Sequence, residues 1–387
     1  METYMDNAAT TKVGREVQDI MIKVMEEDYG NPSSKHTKGM DAEQYLDDAR
    51  TIIADSLKCS VKNITFTSGG TEANNQAIIG TAFANERRGK HIISTVVEHA
   101  SVHEPLAFLE GRGYEVTYIP VDERGMVIKE ALVEAIRPDT ILVSIMYVNN
   151  EVGSVQNIIE LATIAKELNP NIIFHTDAIQ AYGKYKINPK KMGVDLMSVS
   201  GHKLHGPKGT GFLYHGDNVK FLPYIYGGGQ EKGIRSGTEN VPGIAGLGVA
   251  CRLAYEKYTE KQTSMKKLKQ ELINGLIDIE GASINANPEN DSENGAPHII
   301  SASFEDVKSE VLLHALAGDG VYVSSGSACS SNHPGLSGTL KAIGIPDNLI
   351  DCAIRFSISS LTTKEDIDYT LQVLRKHIPI LKKFKSY

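Results

Sequence analysis

Cysteine is scarce in this chain: 387 residues carry four, at positions 59, 251, 329 and 352. Their wide spacing makes no disulfide framework and no C-x-x-C metal pair. Positive charge is also in deficit. The formal net charge of -8 argues against a non-specific hold on nucleic acid and against docking on an anionic membrane. No apolar run approaches the ~20 residues that a membrane helix needs. The opening "METYMDNAAT" lacks a basic stretch followed by an apolar one, so no signal peptide is expected and the reducing cytoplasm is the expected setting. What remains is an ordinary soluble composition, 41% hydrophobic and 23% charged, in a chain longer than one hydrophobic core usually supports. Two domains are expected.

Short β-rich runs alternate with helical patterns. The strands are read at 63–68, 91–97, 115–121, 140–148, 171–177, 194–200 and 210–215, several of them almost continuously apolar, as strands covered on both faces are. Helical segments lie between them at 71–88, 128–136 and 157–168. Such alternation implies an α/β fold with a mostly parallel sheet and helices on both faces. Ligands of these sheets gather at the carboxyl ends of the strands. A helical stretch from about 240 to 279 is long enough to bridge two domains, and the rest reads as a smaller α/β unit. Its last helix opens with Thr362 and Glu365, spaced as a capping box.

The strand ends carry polar punctuation. After the first sheet strand, "SGGTEANN" places Gly69 and Gly70 in a tight turn and Thr71 at a helix start, where free N–H groups form an anion site; a plain glycine turn with a threonine cap reads equally well. No G-x-G-x-x-G is present, and Pro207 interrupts "GHKLHGPKG" where a Walker loop needs Gly-Lys. In "EHASVHE", His99 and His103 are four apart, as a metal-binding pair on a helix would be. Pro105, however, suits a first turn beginning at 101–104, which leaves His99 before the helix and fitted to lie against a planar ligand. Asn149, Asn150, Asp177 and Gln180 end two further strands; singly each reads as an Asx-type turn, together they suggest a site. Lys203, in "SVSGHKLHGPKGTG", sits among Ser200, Gly201 and His202 between two buried strands. A lysine there, beside an anion site and a carboxylate, fits the needs of a pyridoxal phosphate enzyme. Cys329, in "VSSGSACSSNHPG", has no large apolar neighbour to shelter under, unlike a packing cysteine.

With these words in order, the chain resembles the cysteine desulfurases of the NifS/IscS kind, within the aspartate-aminotransferase-like fold (type I) of pyridoxal phosphate enzymes. The likeness runs from "DNAATT" and "GNPSSKH" through "GGTEANN", "EHAS", "VNNEVG", "TDAIQ", "SGHKLHGPKG" and "RSGTEN" to "SSGSACSS" and "AIRFSIS". It implies a large domain at 16–255 with a seven-stranded sheet, a small domain at 256–387 carrying the Cys329 loop, and a segment at 1–15 that joins the small domain. It implies pyridoxal 5'-phosphate as cofactor, bound through Lys203. Asp177 would face the pyridine nitrogen, Gln180 the phenolic oxygen and His99 the ring. Gly70, Thr71, Ser200 and His202 would hold the phosphate, with Thr238 reaching the phosphate of a partner subunit in a homodimer. Asn150 and Arg355 would grip the substrate carboxylate. His99, Lys203 and Cys329 would be catalytic, and Cys329 would take sulfur from L-cysteine as a persulfide for an acceptor protein, leaving alanine. Ser324, Ser325, Gly326 and Ala328 would let that loop swing. Cys251 and Cys352 are expected in the core and Cys59 on the surface. An aminotransferase, β-lyase or selenocysteine lyase would use the same lysine and carboxylate grip without an obligatory thiol. The departure at "SSNHPGLSGTLKAIG" and the short C-terminus favour a sulfurtransferase of tRNA or cofactor thiolation over an iron–sulfur scaffold as acceptor.

Overall fold

The computed structural model describes residues 1–325 and 336–384. A short strand, β1 (Thr3–Tyr4), opens the chain. The seven apolar runs then form β2 (Ile64–Thr67), β3 (His91–Thr95), β4 (Glu115–Ile119), β5 (Thr140–Ser144), β6 (Ile173–Asp177), β7 (Leu196–Ser200) and β8 (Gly211–His215). They make one seven-stranded sheet in the order β2-β8-β7-β6-β5-β3-β4. Only β8 runs against its neighbours, pairing antiparallel with β2 and β7. Every residue of β3, β5, β6 and β7 is buried. That is the reason their sequences run apolar rather than alternating: helices cover both faces.

The helix Gly70–Asn85 lies on the sheet and buries Ala73, Ala77, Ile78 and Ala82. The helices Arg15–Glu26 and Thr37–Leu57 pack on Val241–Tyr255. The long helical stretch divides there, because Lys257 adopts a left-handed backbone (φ 49°) between Val241–Tyr255 and Tyr258–Ile277.

Beyond it, β9 (Ala282–Ile284), β10 (Ile299–Phe304), β11 (Val321–Tyr322), β12 (Ser324–Ser325) and β13 (Ala353–Ser357) complete the strands. A second, antiparallel sheet has the order β12-β13-β10-β9. Its core gathers Leu272, Phe304, Leu316, Phe356 and Leu374, together with Met5 from the N-terminal segment. That segment is sewn on by the parallel β1–β11 pair and by Asn7 N–H donating to the Ser357 carbonyl.

Four expectations need correction. The last helix is capped by Thr363 and Asp366, not by Thr362 and Glu365. Thr362 instead accepts from Ser359 N–H at 2.9 Å, while Thr3 Oγ1 donates to Asp366. The helix after β3 begins at Ala100, since His99 itself caps it, which puts Pro105 in the second turn. Ser324 and Ser325 are not loose: they pair with Arg355 and Ile354 of β13, and Ser324 Oγ donates to Asp6 at 2.7 Å. Polar bonds hold what little apolar area could not. Cys251 and Cys352 are buried, as expected, whereas Cys59 is half-buried rather than on the surface.

Candidate active site

The carboxyl ends of β2, β3, β5, β6 and β7 open on one edge of the sheet, and each delivers polar groups there. After β2 the chain turns at Gly69, whose φ of 149° favours glycine. The next helix then starts at Gly70, so close to the β6 loop that a Cβ on Gly70 would lie 2.1 Å from Ile179 Cδ1. β3 leads to Glu98 and His99, β5 to Met146, Val148 and Asn150, β6 to Asp177 and Gln180, and β7 to Ser200, His202 and Lys203. With Gly70, Thr71, Ala8, Ala9 and Arg355 of β13, these strand-end residues (Glu98 apart) line a cavity of about 310 Å³. Thr238 is exposed and is not among the lining residues. Cys329 lies outside the described residues.

Asp177 is buried, and burial pushes its carboxyl up from the ordinary range. Its oxygens receive two neutral donors, Ile179 N–H at 2.9 Å and Asn74 Nδ2 at 2.8 Å. Lys203 Nζ donates to the carbonyls of Ala8 and Ala9 at 2.6 and 2.7 Å. Behind it, Lys184 Nζ donates to the Lys203 carbonyl at 2.5 Å; burial, then the nearby Lys203, bring Lys184 down to about 7. Gln180 is oriented from both ends. Its Nε2 donates to Ala8 O at 2.9 Å and its Oε1 receives His298 Nε2 at 3.2 Å, so one amide hydrogen is left over. His202 is held neutral, pushed to about 4 by burial and by the lysines around it.

Arg355 donates to Asn150 O at 2.8 Å and to Asp6 Oδ1 and Ser324 Oγ at 3.0 Å each. Its Nε is buried and has no hydrogen-bond partner among the described residues. Glu98 accepts Thr95 Oγ1 and Met146 N–H on one oxygen, while the other has no partner among the described residues; burial raises it to about 8.

Sequence reasoning missed Asn74, Ser101, Lys184 and His298, the Ala8 and Ala9 carbonyls and the Asp6–Arg355 pair. Asn74 and Ser101 stand inside the words "GGTEANN" and "EHAS", where the pairing of a second polar residue with each motif was a usable signal. His298, 118 positions from Gln180 in the chain, had none.

The class-V aminotransferase family model matches residues 3–370. The chain is 46% identical over 371 residues to the cysteine desulfurase IscS of Methanosarcina thermophila, covering 96% of this chain and 90% of that one. It is 44% identical to the cysteine desulfurase IscS of Dictyoglomus turgidum, covering 100% and 97%. The chain belongs to the class-V aminotransferase family, among its cysteine desulfurases. The fold agrees: a solved NifS-like protein superposes with a TM-score of 0.92 at 39% identity, over 98% of this chain and 100% of that one. The desulfurase depends on pyridoxal phosphate. Its cavity fits that group, because Asp177 is a buried acid with only neutral donors, to which a protonated ring nitrogen would bring the opposite charge. Among the described residues no helix is long and apolar enough to cross a membrane.

Proposed function

We propose that the 310 Å³ cavity is where L-cysteine gives up its sulfur, and that Cys329 receives it. The observation that carries this reading is the meeting of Lys203, the buried acid Asp177 and the Nε of Arg355, which has no hydrogen-bond partner among the described residues, around one space. Pyridoxal phosphate, when bound, supplies an aldehyde for amino groups and a ring that withdraws electrons from the substrate's Cα.

The chain's own residues do the rest. Lys203 would hold the cofactor's aldehyde carbon, and its amine, when free, would be placed to move the Cα proton of the substrate. Asp177 would keep the ring nitrogen protonated, the spare amide hydrogen of Gln180 would serve the phenolic oxygen, and His99 would cover the ring. Gly70 and Thr71 at a helix start, with Ser200 and His202, would hold the phosphate. Arg355, through Nε and a fork now shared with Asp6, and Asn150 take the substrate's carboxylate. The Cys329 thiolate then attacks the substrate sulfur. An S–S bond forms as the Cβ–S bond breaks, the electron pair stays with the three-carbon skeleton, and that skeleton takes up one proton at Cβ and regains one at Cα to become alanine. Cys329 is left as a persulfide for a cytoplasmic acceptor protein.

We further infer a division at 1–15, 16–255 and 256–387, supported by the helix break at Lys257, and a homodimer in which Thr238 serves the partner's phosphate site. The exposure of Thr238, with exposed Tyr224 and Tyr226 on the same segment, supports the dimer. The sequence around Pro334, Gly335 and Gly338 favours a sulfurtransferase acceptor over an iron–sulfur scaffold. Transfer of labelled sulfur to a scaffold as fast as to any sulfurtransferase tried would overturn that last point.

The deciding experiment measures alanine released from L-cysteine under a reductant, for the native enzyme and Cys329→Ala. Release by the first alone is expected. Equal release would mean that Cys329 does not carry the sulfur.

A further inference from the structure

His99 enters the site with one ring nitrogen already committed. Its Nδ1 receives the backbone N–H of Ser101 at 3.0 Å and lies 2.9 Å from Ser101 Oγ. A backbone N–H can only donate, so Nδ1 must be an acceptor and bear no hydrogen. The hydroxyl is constrained separately. Asn74 Nδ2 donates to Asp177 Oδ2 at 2.8 Å and to Ser101 Oγ at 2.9 Å. Asp177 as a carboxylate accepts only, which turns the NH₂ end of Asn74 toward it, and the second hydrogen of the same NH₂ then falls to Ser101. With its oxygen accepting from Asn74, Ser101 has its own hydrogen to give, and Nδ1 of His99 is within reach. The orientation leaves Asn74 Oδ1 buried without a hydrogen-bond partner among the described residues.

We propose that Asn74 and Ser101 are positioning residues for His99: the chain Asp177–Asn74–Ser101–His99 locks its imidazole in the neutral tautomer with the hydrogen on Nε2. Adding a proton to that ring would require a hydrogen on Nδ1, where two donors already point. His99 is thereby set to lie against the cofactor as an uncharged ring, and any proton it gives leaves from Nε2. Burial also pushes its titration below the ordinary 6.5. The charged groups around it act in both directions: Asp177 favours the cation, while Lys203 and Arg355 oppose it. His103, one turn along the same helix, is likewise lowered chiefly by burial. The functional consequence rests on the proposed placing of His99 at the cofactor; the tautomer does not.

The test is ¹⁵N NMR of histidine-labelled full-length protein, free of cofactor and loaded with pyridoxal phosphate, with His99→Gln to assign the signals. The native protein should show a pyridine-type Nδ1 and a pyrrole-type Nε2 that persist as the pH falls through 6.5, the ordinary histidine value. Ser101→Ala removes the hydroxyl donor but keeps the backbone N–H, so Nδ1 should stay pyridine-type near neutral pH yet take up a proton at a higher pH than in the native protein, and Ser101→Thr should restore the native response. Asn74→Asp turns a donor to Ser101 into an acceptor that draws away the hydroxyl hydrogen. It should move Nδ1 toward the pyrrole type at a higher pH than in the native enzyme. A native His99 with hydrogen on Nδ1 would overturn the proposal, even if neither variant folds; so would signals unchanged by both Ser101→Ala and Asn74→Asp. The expected tautomer with no response to cofactor loading would support the relay and overturn the placing of His99 at the cofactor.

Discussion

Asp177 and Glu98 are two buried acids that the fold treats differently. Asp177 has a donor on each oxygen, whereas Glu98 has both its donors on one. Replacing Asp177 by asparagine should leave pyridoxal phosphate bound but lower alanine release on the order of 10²-fold or more, since the charge opposing the ring nitrogen is lost. Retained activity in steady-state assays would count against that role. For Glu98 the readout is stability. Its carboxyl is raised from 4.5 to about 8, so above 4.5 the unfolded chain releases a proton that the folded one keeps. Raising the pH therefore favours unfolding through that window, with a limiting slope of about 1.4 kcal/mol per pH unit. Glu98→Gln keeps an acceptor for Thr95 and Met146 and removes the titration. Urea midpoints of variant and native should diverge as pH rises from the ordinary value toward 8, the variant becoming the more stable. The buried histidines His175 and His298 act in the opposite sense but equally in both proteins, and cancel from the difference. A difference independent of pH would show that Glu98 does not titrate there.

At the level of elements, the site depends on how closely β7, β8 and the turn after β2 approach one another. A Cβ at Gly211 would lie 2.4 Å from the Val199 carbonyl and 2.9 Å from Gly69 Cα, both backbone atoms that cannot swing aside. Gly211→Ala should cost about 1–3 kcal/mol in urea unfolding and weaken retention of pyridoxal phosphate on dialysis, because it pushes on the turn that starts the anion-binding helix. Thr363→Ala should lower stability by about 1 kcal/mol through loss of the capping box, and Thr362→Ala by less; the reverse order would restore the boundary read from sequence. The element readings from sequence divide along a physical line. Apolar runs marked the wholly buried strands β3, β5, β6 and β7, because burial on both faces demands them, whereas the edge strand β4 is only partly buried. Helix starts were displaced by one residue, at Thr363 and after His99. The choice between neighbouring caps there depends on partners far along the chain: Thr3 reaches Asp366 across 363 positions.

Across the whole molecule, the small sheet's core and the largest core of the big sheet meet through the N-terminal segment. Met5 enters one core and Ala8 the other, and the intervening Asp6 holds Arg355 at 3.0 Å. Beyond the single chain, the segment bearing Leu222, Tyr224 and Tyr226, the last of them 75% exposed, is the face on which a second copy would bury apolar area. Sedimentation should give about twice the 42.1 kDa chain mass. Tyr226→Glu should shift it toward the monomer and loosen the cofactor, since Thr238 would then reach no neighbour. A native monomer that retains pyridoxal phosphate would sink the shared-site reading.

The sequence by itself determined that this chain is an α/β enzyme with polar residues gathered at its strand ends, and it named most of the side chains that line the cavity there. That information is local: an apolar run, a glycine turn and the polar residue that follows it are neighbours in the chain. Only the tertiary structure decided what those side chains are held by. Arg355 meets Asp6 across 349 positions, Asn74 meets Asp177 across 103, and Gln180 meets His298 across 118. Hydrogen bonds are directional, and the direction of each is set by the donor on the other side. Which amide end Gln180 turns to Ala8, and which Asn74 turns to Asp177, is fixed only once those distant partners are in place.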